Sequence, residues 1–370
     1  MYFGVDYYPE HWGEKRWETD LKMMKQLNFN IIRIAEFAWC RLEPEEGRYD
    51  FLWLDKVIEL CKKYEISVML GVPVRNVPVW LMEKDPSVAI KAHEGHLESF
   101  GSRYTTCLNN PTLREHALKL SEMMAARYAD YENVVSWHLD NEYGDASICY
   151  CDNCRKRFIN WLKDKYKTVD QLNEAWGMVF WSLEINTWDQ LWVPLKINHF
   201  PHNPGLLQDY RRFTSWTTEQ FVMEQGDIFR RLAPGKTITT NFQSMTRYHT
   251  DYHKLGEALD VVSVNYYPPV SYNSMDLDIM RGIKNKNFWV VEQKSGPPGN
   301  VHNGYLTPAP GETRMYTYQS IAHGAEAILY FRWRPSYFGQ EQLHKGILNY
   351  DAFTNRIFDE IGRLKMMLQC

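Results

Sequence analysis

Glycine and proline are scarce in this 370-residue sequence, at 21 and 17 residues, which excludes a collagen-like, low-complexity or disordered chain. No apolar run reaches the ~18–20 residues that a membrane helix needs. The opening residues, MYFGVDYYPEHW, have neither a basic segment nor an apolar one, so no secretory signal is read there. Lys/Arg runs are absent and the net charge is −4, which argues against a nucleic-acid partner or a membrane surface. Cysteines number only seven. In a chain of this length without a signal, a reduced cytoplasmic compartment is expected rather than a disulfide framework.

What the chain has in quantity is aromatic residues, 15% of the total with 14 Trp and 23 Tyr. They suit a large core, and equally a sugar cleft where a ring packs on the apolar face of a pyranose. Eight short apolar, β-rich runs begin near residues 2, 30, 67, 134, 237, 260, 287 and 327. Helical patterns separate most of them, with later candidates over 211–233, 312–323 and 353–368. Regular βα alternation implies a parallel sheet. Eight such units in a chain above ~250 residues predict a (β/α)8 TIM barrel, an α/β fold. An open doubly wound sheet is the runner-up, but DYYPEHWGEK stands where a glycine-rich phosphate loop would be. The expected organisation is one barrel domain over 1–370, with the Trp-, Asn- and Pro-rich stretch 168–212 inserted after strand four.

Barrel chemistry sits where strands end at the C-terminal face. The polar residues there are Arg33 and Glu36 on strand two, and His138, Asp140, Asn141 and Glu142 on strand four. Strand six supplies Asn265, Tyr266 and Tyr267, and strand seven Glu292. Strand eight supplies Arg332, Trp333 and Arg334, with Glu341 and His344 beyond. A lone strand-end glutamate is more often a solvated or ion-paired residue than a catalyst. Glu142 and Glu292 are singled out because both follow apolar strands that approach across the mouth, and because Asn141 and an aromatic-rich rim stand beside them. Two facing carboxyl groups are what retaining glycoside hydrolysis requires, one ionised nucleophile and one acid that keeps its proton.

Cys149, Cys151 and Cys154 crowd into one short C-x-C-x-x-C stretch. Three thiolates need one more ligand for a tetrahedral zinc, and Cys107, in the loop after the third βα region and next to strand four at the mouth, is the best placed. Cys61 reads as core, while Cys40 and Cys370 are poorer choices. A closed all-sulfur site would be structural; free buried thiols are the plainer reading. Arg103 would turn to the mouth if a metal pins its loop. Trp176, Trp188 and Trp192 read as a small hydrophobic cluster, with Trp181 set apart. Glu341 and His344 would share a face if their segment is helical.

The stretches DYYPEHW, IIRIAEFAWCRLEPEEGRYDFLWLD, HLDNEYG, CYCDNC, LNEAWGMVFWSLEINTW and FRWRPSYFGQEQLHKGIL occur in that order from residue 2 to about 350. In them the chain resembles the barrel domain of glycoside hydrolase family 42 β-galactosidases. The resemblance implies that Glu142 is the acid/base, Glu292 the nucleophile, and Asn141 a partner of the sugar 2-hydroxyl. It places Arg103, Trp181, Tyr267, Glu341 and His344 around a galactose subsite, and Cys107, Cys149, Cys151 and Cys154 around the zinc of some members. It implies a galactoside substrate and, for full-length members, a homotrimer. Three departures stand out. Members usually continue for several hundred residues beyond the barrel, whereas this sequence stops at MMLQC, as a fragment or a short relative would. GPPGNVHNG replaces the usual Asn-Trp after the nucleophile, and VNYYP replaces a common Trp-Asp pair. Retaining exo-β-galactosidase activity is therefore the expectation. The alternatives are another β-glycosidase specificity (β-L-arabinopyranoside, β-D-fucoside or galactan oligosaccharide) or an inactive carbohydrate-binding fragment.

Overall fold

The structure is a computed structural model, described here for residues 1–144, 148–243, 249–268, 274–297 and 307–364. Nine parallel strands form one sheet: β1 (Tyr2–Asp6), β2 (Ile31–Ile34), β3 (Ser67–Val72), β4 (Val134–Leu139), β5 (Thr237–Thr239), β6 (Asn241–Phe242), β7 (Ser263–Tyr266), β8 (Phe288–Lys294) and β9 (Ala325–Phe331). Their order is β5-β4-β3-β2-β1-β9-β8-β7-β6. Because β5 and β6 are two halves of one run, KTITTNF, broken at Thr240, the two ends of the sheet meet within a single chain segment. The expected fifth strand is thus the seam of the barrel. Across it, the Thr239 hydroxyl bonds to the Val261 carbonyl at 2.8 Å and the Ser263 hydroxyl to the Thr240 carbonyl at 2.9 Å.

Strands of such a barrel are buried on both faces and so read as continuous apolar runs; β2, IIRI, is buried throughout. Alternation sends its side chains two ways. Ile32 and Ile34 join the large cluster shared with the helices, while Ile31 packs with Met69, Trp289, Val291, Ala327 and Leu329 in a separate cluster inside the barrel. Arg33 has the inward parity of Ile31, which delivers its guanidinium to the mouth.

Three local readings differ from the structure. The helix expected over 211–233 starts earlier and spans Pro204–Leu232, because Asn203 caps its N-terminus and Pro204 occupies its first turn. Of the tryptophans expected to cluster, Trp176 is buried and Trp188 packs against the same group, but Trp192 is 74% exposed. Residues 341–343 form a turn, not a helix, with the His344 amide bonded to the Glu341 carbonyl at 2.9 Å. The last expected helix is described as Arg356–Leu364; its remainder and Cys370 lie outside the described residues. Among the described residues no helix is long and apolar enough to cross a membrane.

Gly71 in β3 faces the backbone of Glu36: a Cβ there would lie 2.5 Å from the Glu36 nitrogen and 2.6 Å from its Cα. Gly71→Ala should therefore destabilise the fold by about 1–3 kcal/mol, as overpacking does. Gly282, in the helix Ser274–Lys284, has open space around it, and Gly282→Ala should gain up to ~1 kcal/mol. Denaturant midpoints moving in opposite directions for the two variants would bear this out.

Candidate active site and thiolate cluster

Residues that lie far apart in sequence meet at the C-terminal mouth. Glu292, near the end of β8, is 5% exposed. Its Oε1 accepts from Arg33 at 2.7 Å and from the Asn241 side-chain amide at 3.1 Å. Its Oε2 accepts from the Tyr267 hydroxyl at 2.7 Å. Burial pushes the Glu292 carboxyl up to about 7, Arg33 opposes that rise, and the nearby Glu142 charge adds to it.

Glu142 follows β4 on a turn in which both Asp140 and Glu142 adopt left-handed backbone, with φ of 52° and 50°. Non-glycine residues there carry strain that the surroundings must hold. They do so at three points. The Glu142 amide donates to Asn241 Oδ1 at 2.7 Å, Arg75 pairs with Asp140 at 3.3 Å, and Arg75 also donates to the Asn141 carbonyl. The Arg75 guanidinium is itself stacked between the rings of Tyr104 and Tyr143, at 4.3 and 4.5 Å. On the side chain of Glu142, Oε1 accepts from Asn265 at 2.6 Å, and Oε2 faces Arg103 at 3.2 Å and the Tyr104 hydroxyl at 3.4 Å.

Most of the expected site residues are brought together. Arg103 spans Glu142 and Glu341, the latter at 3.6 Å. Arg332 holds the Glu341 turn by its carbonyl at 2.9 Å. His344 packs on Phe331 and Tyr267 with ring centroids 4.5 and 5.8 Å apart, and burial, with Arg332 and Arg103 nearby, lowers its pKa so that the imidazole is neutral. Asn141 donates to the Tyr104 hydroxyl at 2.6 Å. Trp181 stands apart: it is 63% exposed, and its ring contacts are Phe180 and Phe200 within the inserted stretch.

Asn241, Tyr104, Arg75 and Asp6 were not foreseen. Asn241 is next to last in KTITTNF, so the strand-end rule applied to the fifth strand would have found it. Asp6 ends β1 and pairs with Arg33 at 3.2 Å, where the same rule applies.

The four expected sulfurs also converge. Cys107, Cys149, Cys151 and Cys154 have ligand atoms within 4.8 Å of one another. Three of the separations are 3.4, 3.6 and 3.7 Å. Zn–S bonds of ~2.3 Å in a tetrahedron put sulfurs ~3.8 Å apart, so the donor set fits a tetrahedral ion. Donors surround it: the Lys91 amide lies 3.4 Å from the Cys149 sulfur and the Asn109 amide 3.3 Å from that of Cys154. Cys61 is buried on the helix Leu52–Lys63, away from this group, as expected.

Fold and site together define a parallel β/α-barrel with a paired-carboxyl cleft at its C-terminal mouth. The chain belongs to glycoside hydrolase family 42, whose profile, described as β-galactosidase, matches residues 6–369. The β-galactosidase BgaA of Clostridium cellulovorans is 40% identical over 98% of this chain and 56% of its own length. A β-galactosidase of Thermus thermophilus is 37% identical over 98% of this chain and 59% of its own. The crystal structure of the β-galactosidase from the psychrophilic Marinomonas ef1 superposes with a TM-score of 0.95 at 33% identity, covering all of this chain and 60% of that one. The chain thus spans somewhat over half the length of the relatives it matches.

Four converging thiols should give a measurable metal site. The reduced protein should take up one equivalent of Co²⁺ with sulfur-to-metal charge-transfer absorption, and Cys151→Ser should lose that band and melt at a lower temperature.

Proposed function

We propose that this chain is the catalytic barrel of a retaining exo-β-galactosidase, which hydrolyses terminal non-reducing β-D-galactosyl groups through a covalent glycosyl-enzyme. One observation carries the reading: Glu142 and Glu292 face one cleft, tied to each other through Asn265 and Asn241. The unit proposed is residues 1–370, with 168–212 as an insertion.

Glu292 is the nucleophile. Its carboxylate attacks the anomeric carbon while Glu142 gives its proton to the departing glycosidic oxygen. Glu142, now ionised, then takes a proton from water, whose oxygen displaces Glu292 and restores the original configuration at the anomeric carbon. Arg33 and Tyr267 hold the nucleophile by one oxygen each. Arg103, Asn141, Tyr267, Glu341 and His344 supply the polar wall for sugar hydroxyls, and Trp181 would meet the ligand from the insertion. Other β-glycosides that share the equatorial leaving bond remain substrates to compare. The sulfur cluster is proposed to hold Zn²⁺, which in a closed four-sulfur site stabilises the fold and takes no part in the chemistry. The compartment proposed is the cytoplasm, in keeping with free thiols.

Glu292→Gln should lower hydrolysis of a nitrophenyl β-galactoside by several orders of magnitude, and retention seen by NMR in the first-formed galactose should accompany wild-type turnover. A wild-type-like rate in that variant, or an inverted product, would overturn the reading. Glu142→Ala should spare nitrophenyl galactosides far more than lactose, since only a poor leaving group needs the proton.

The pH profile follows from the sign of the Glu292 shift. The nucleophile works ionised, and its carboxyl is raised to about 7. Below that pH, kcat/KM should fall about tenfold per unit. Arg33→Gln removes the charge that holds the value down, so its acid limb should move to higher pH.

A further inference from the structure

We infer that Asn241 is the positioning residue that sets the spacing between the two carboxyl groups. The inference rests on the assignment of Glu142 and Glu292 above. Asn241 is fully buried on the two-residue strand β6, beside the seam of the barrel. Its side chain touches both halves of the site. Oδ1 accepts the backbone amide of Glu142 at 2.7 Å, and Nδ2 donates to Glu292 Oε1 at 3.1 Å. The separation of the two carboxyl groups decides how a glycosidase works, and retention requires ~5–5.5 Å. Here one planar amide, three heavy atoms from oxygen to nitrogen, joins the backbone of one group to the oxygen of the other.

The left-handed backbone at Glu142, φ 50°, gives this bond its importance. A strained turn keeps its shape only while its amide has a partner, and the partner of Glu142 is a side chain from the seam, not the neighbouring strand ladder. Glu292 has no comparable strain. Asn241 therefore holds the acid/base to the frame of the nucleophile.

The nitrogen side of the amide is oversubscribed. Nδ2 carries two hydrogens and faces three acceptors: Asn141 Oδ1 at 2.6 Å, Asn265 Oδ1 at 2.9 Å and Glu292 Oε1. A sugar hydroxyl donating to Asn141 Oδ1 would take one acceptor out of this competition. The second hydrogen would then serve Glu292 fully. Substrate binding would thereby strengthen a bond to the ionised nucleophile.

The test compares Asn241→Ala with Asn265→Ala in the full chain, by kcat/KM against pH on nitrophenyl galactoside and lactose, with thermal melts alongside. Asn241→Ala removes a donor from ionised Glu292, so its acid limb should move up by half a unit or more. Misplacement of Glu142 should lower kcat/KM on lactose by roughly 10- to 100-fold and on nitrophenyl galactoside much less, since only the poor leaving group needs the proton. Asn265→Ala removes a donor from Glu142 alone and should leave the acid limb unmoved or shift it down. A purely structural asparagine would lower the melting temperature without moving the limb, and that result overturns the inference. Asn241→Asp, nearly isosteric, serves where the alanine variant does not fold. It keeps the acceptor for the Glu142 amide but cannot offer two hydrogens, so an unmoved limb and a rate within threefold of wild type would likewise overturn it. Activity surviving in Glu292→Gln would instead bring down the assignment of the two carboxyl groups.

Discussion

The buried guanidinium of Arg33 is the interaction around which the mouth of the barrel is arranged. It lies among three carboxyl groups, Asp6 at 3.2 Å, Glu36 at 3.0 Å and Glu292 at 2.7 Å. Burial alone would lower the pKa of the guanidinium, but the three carboxyls outweigh it and keep the group charged. One positive charge cannot balance three negative ones in a medium that solvates charge poorly. Burial raises the Asp6 carboxyl, Arg33 opposes that rise, and the charges of Glu292 and Glu36 add to it. His138, 3.4 Å from Arg33, is driven to its neutral form by burial and by that same charge. Strands β1, β2, β4 and β8 thus meet at one cation, and Glu292 is part of what holds them together.

This arrangement has a thermodynamic consequence. The folded Glu292 carboxyl titrates near 7, above its ordinary value of 4.5. Between those two values the folded state binds more protons than the unfolded one. Stability from this group is therefore complete at low pH and is lost as pH rises through 7. The ionised form that the proposed chemistry requires is the form the fold tolerates least, and Arg33 and Tyr267 limit that cost. A reactive carboxylate held in place at the expense of stability is a common feature of active sites.

The fold was legible in the sequence because parallel barrel strands are buried on both faces, and eight apolar runs separated by helical patterns have few other arrangements. The seam was not legible. KTITTNF reads as one strand, and only the closure of the sheet shows that β5 pairs one way and β6 the other. Glu142 and Glu292 stood out because acidic residues directly end apolar runs. Asn241 did not, since a neutral amide near the end of a threonine-rich run carries no charge to single it out, although its strand-end position made it a candidate. Tyr104 is a similar case: its backbone φ of 64° is one that tyrosine seldom adopts, and no local pattern announces it. Trp192 and the turn at Glu341 differ from expectation for a related reason, in that spacing describes regular elements and both residues lie outside them.

The sulfur cluster belongs to the same argument, because the segment that supplies Cys107 also supplies the neighbours of Glu142. Arg103 and Tyr104 reach the carboxyl group, and Thr106 donates to the Arg75 carbonyl at 2.9 Å. Arg75 in turn holds both Asp140 and the Asn141 carbonyl, the two residues before Glu142. On the far side, Cys149, Cys151 and Cys154 follow the same turn and lead into the helix Asp152–Tyr166. Glu142 therefore sits on a loop whose upstream support and downstream exit are both fastened to the four sulfurs. Strained backbone persists only where surrounding structure overdetermines it. A metal held by those sulfurs would supply that constraint without occupying the cleft.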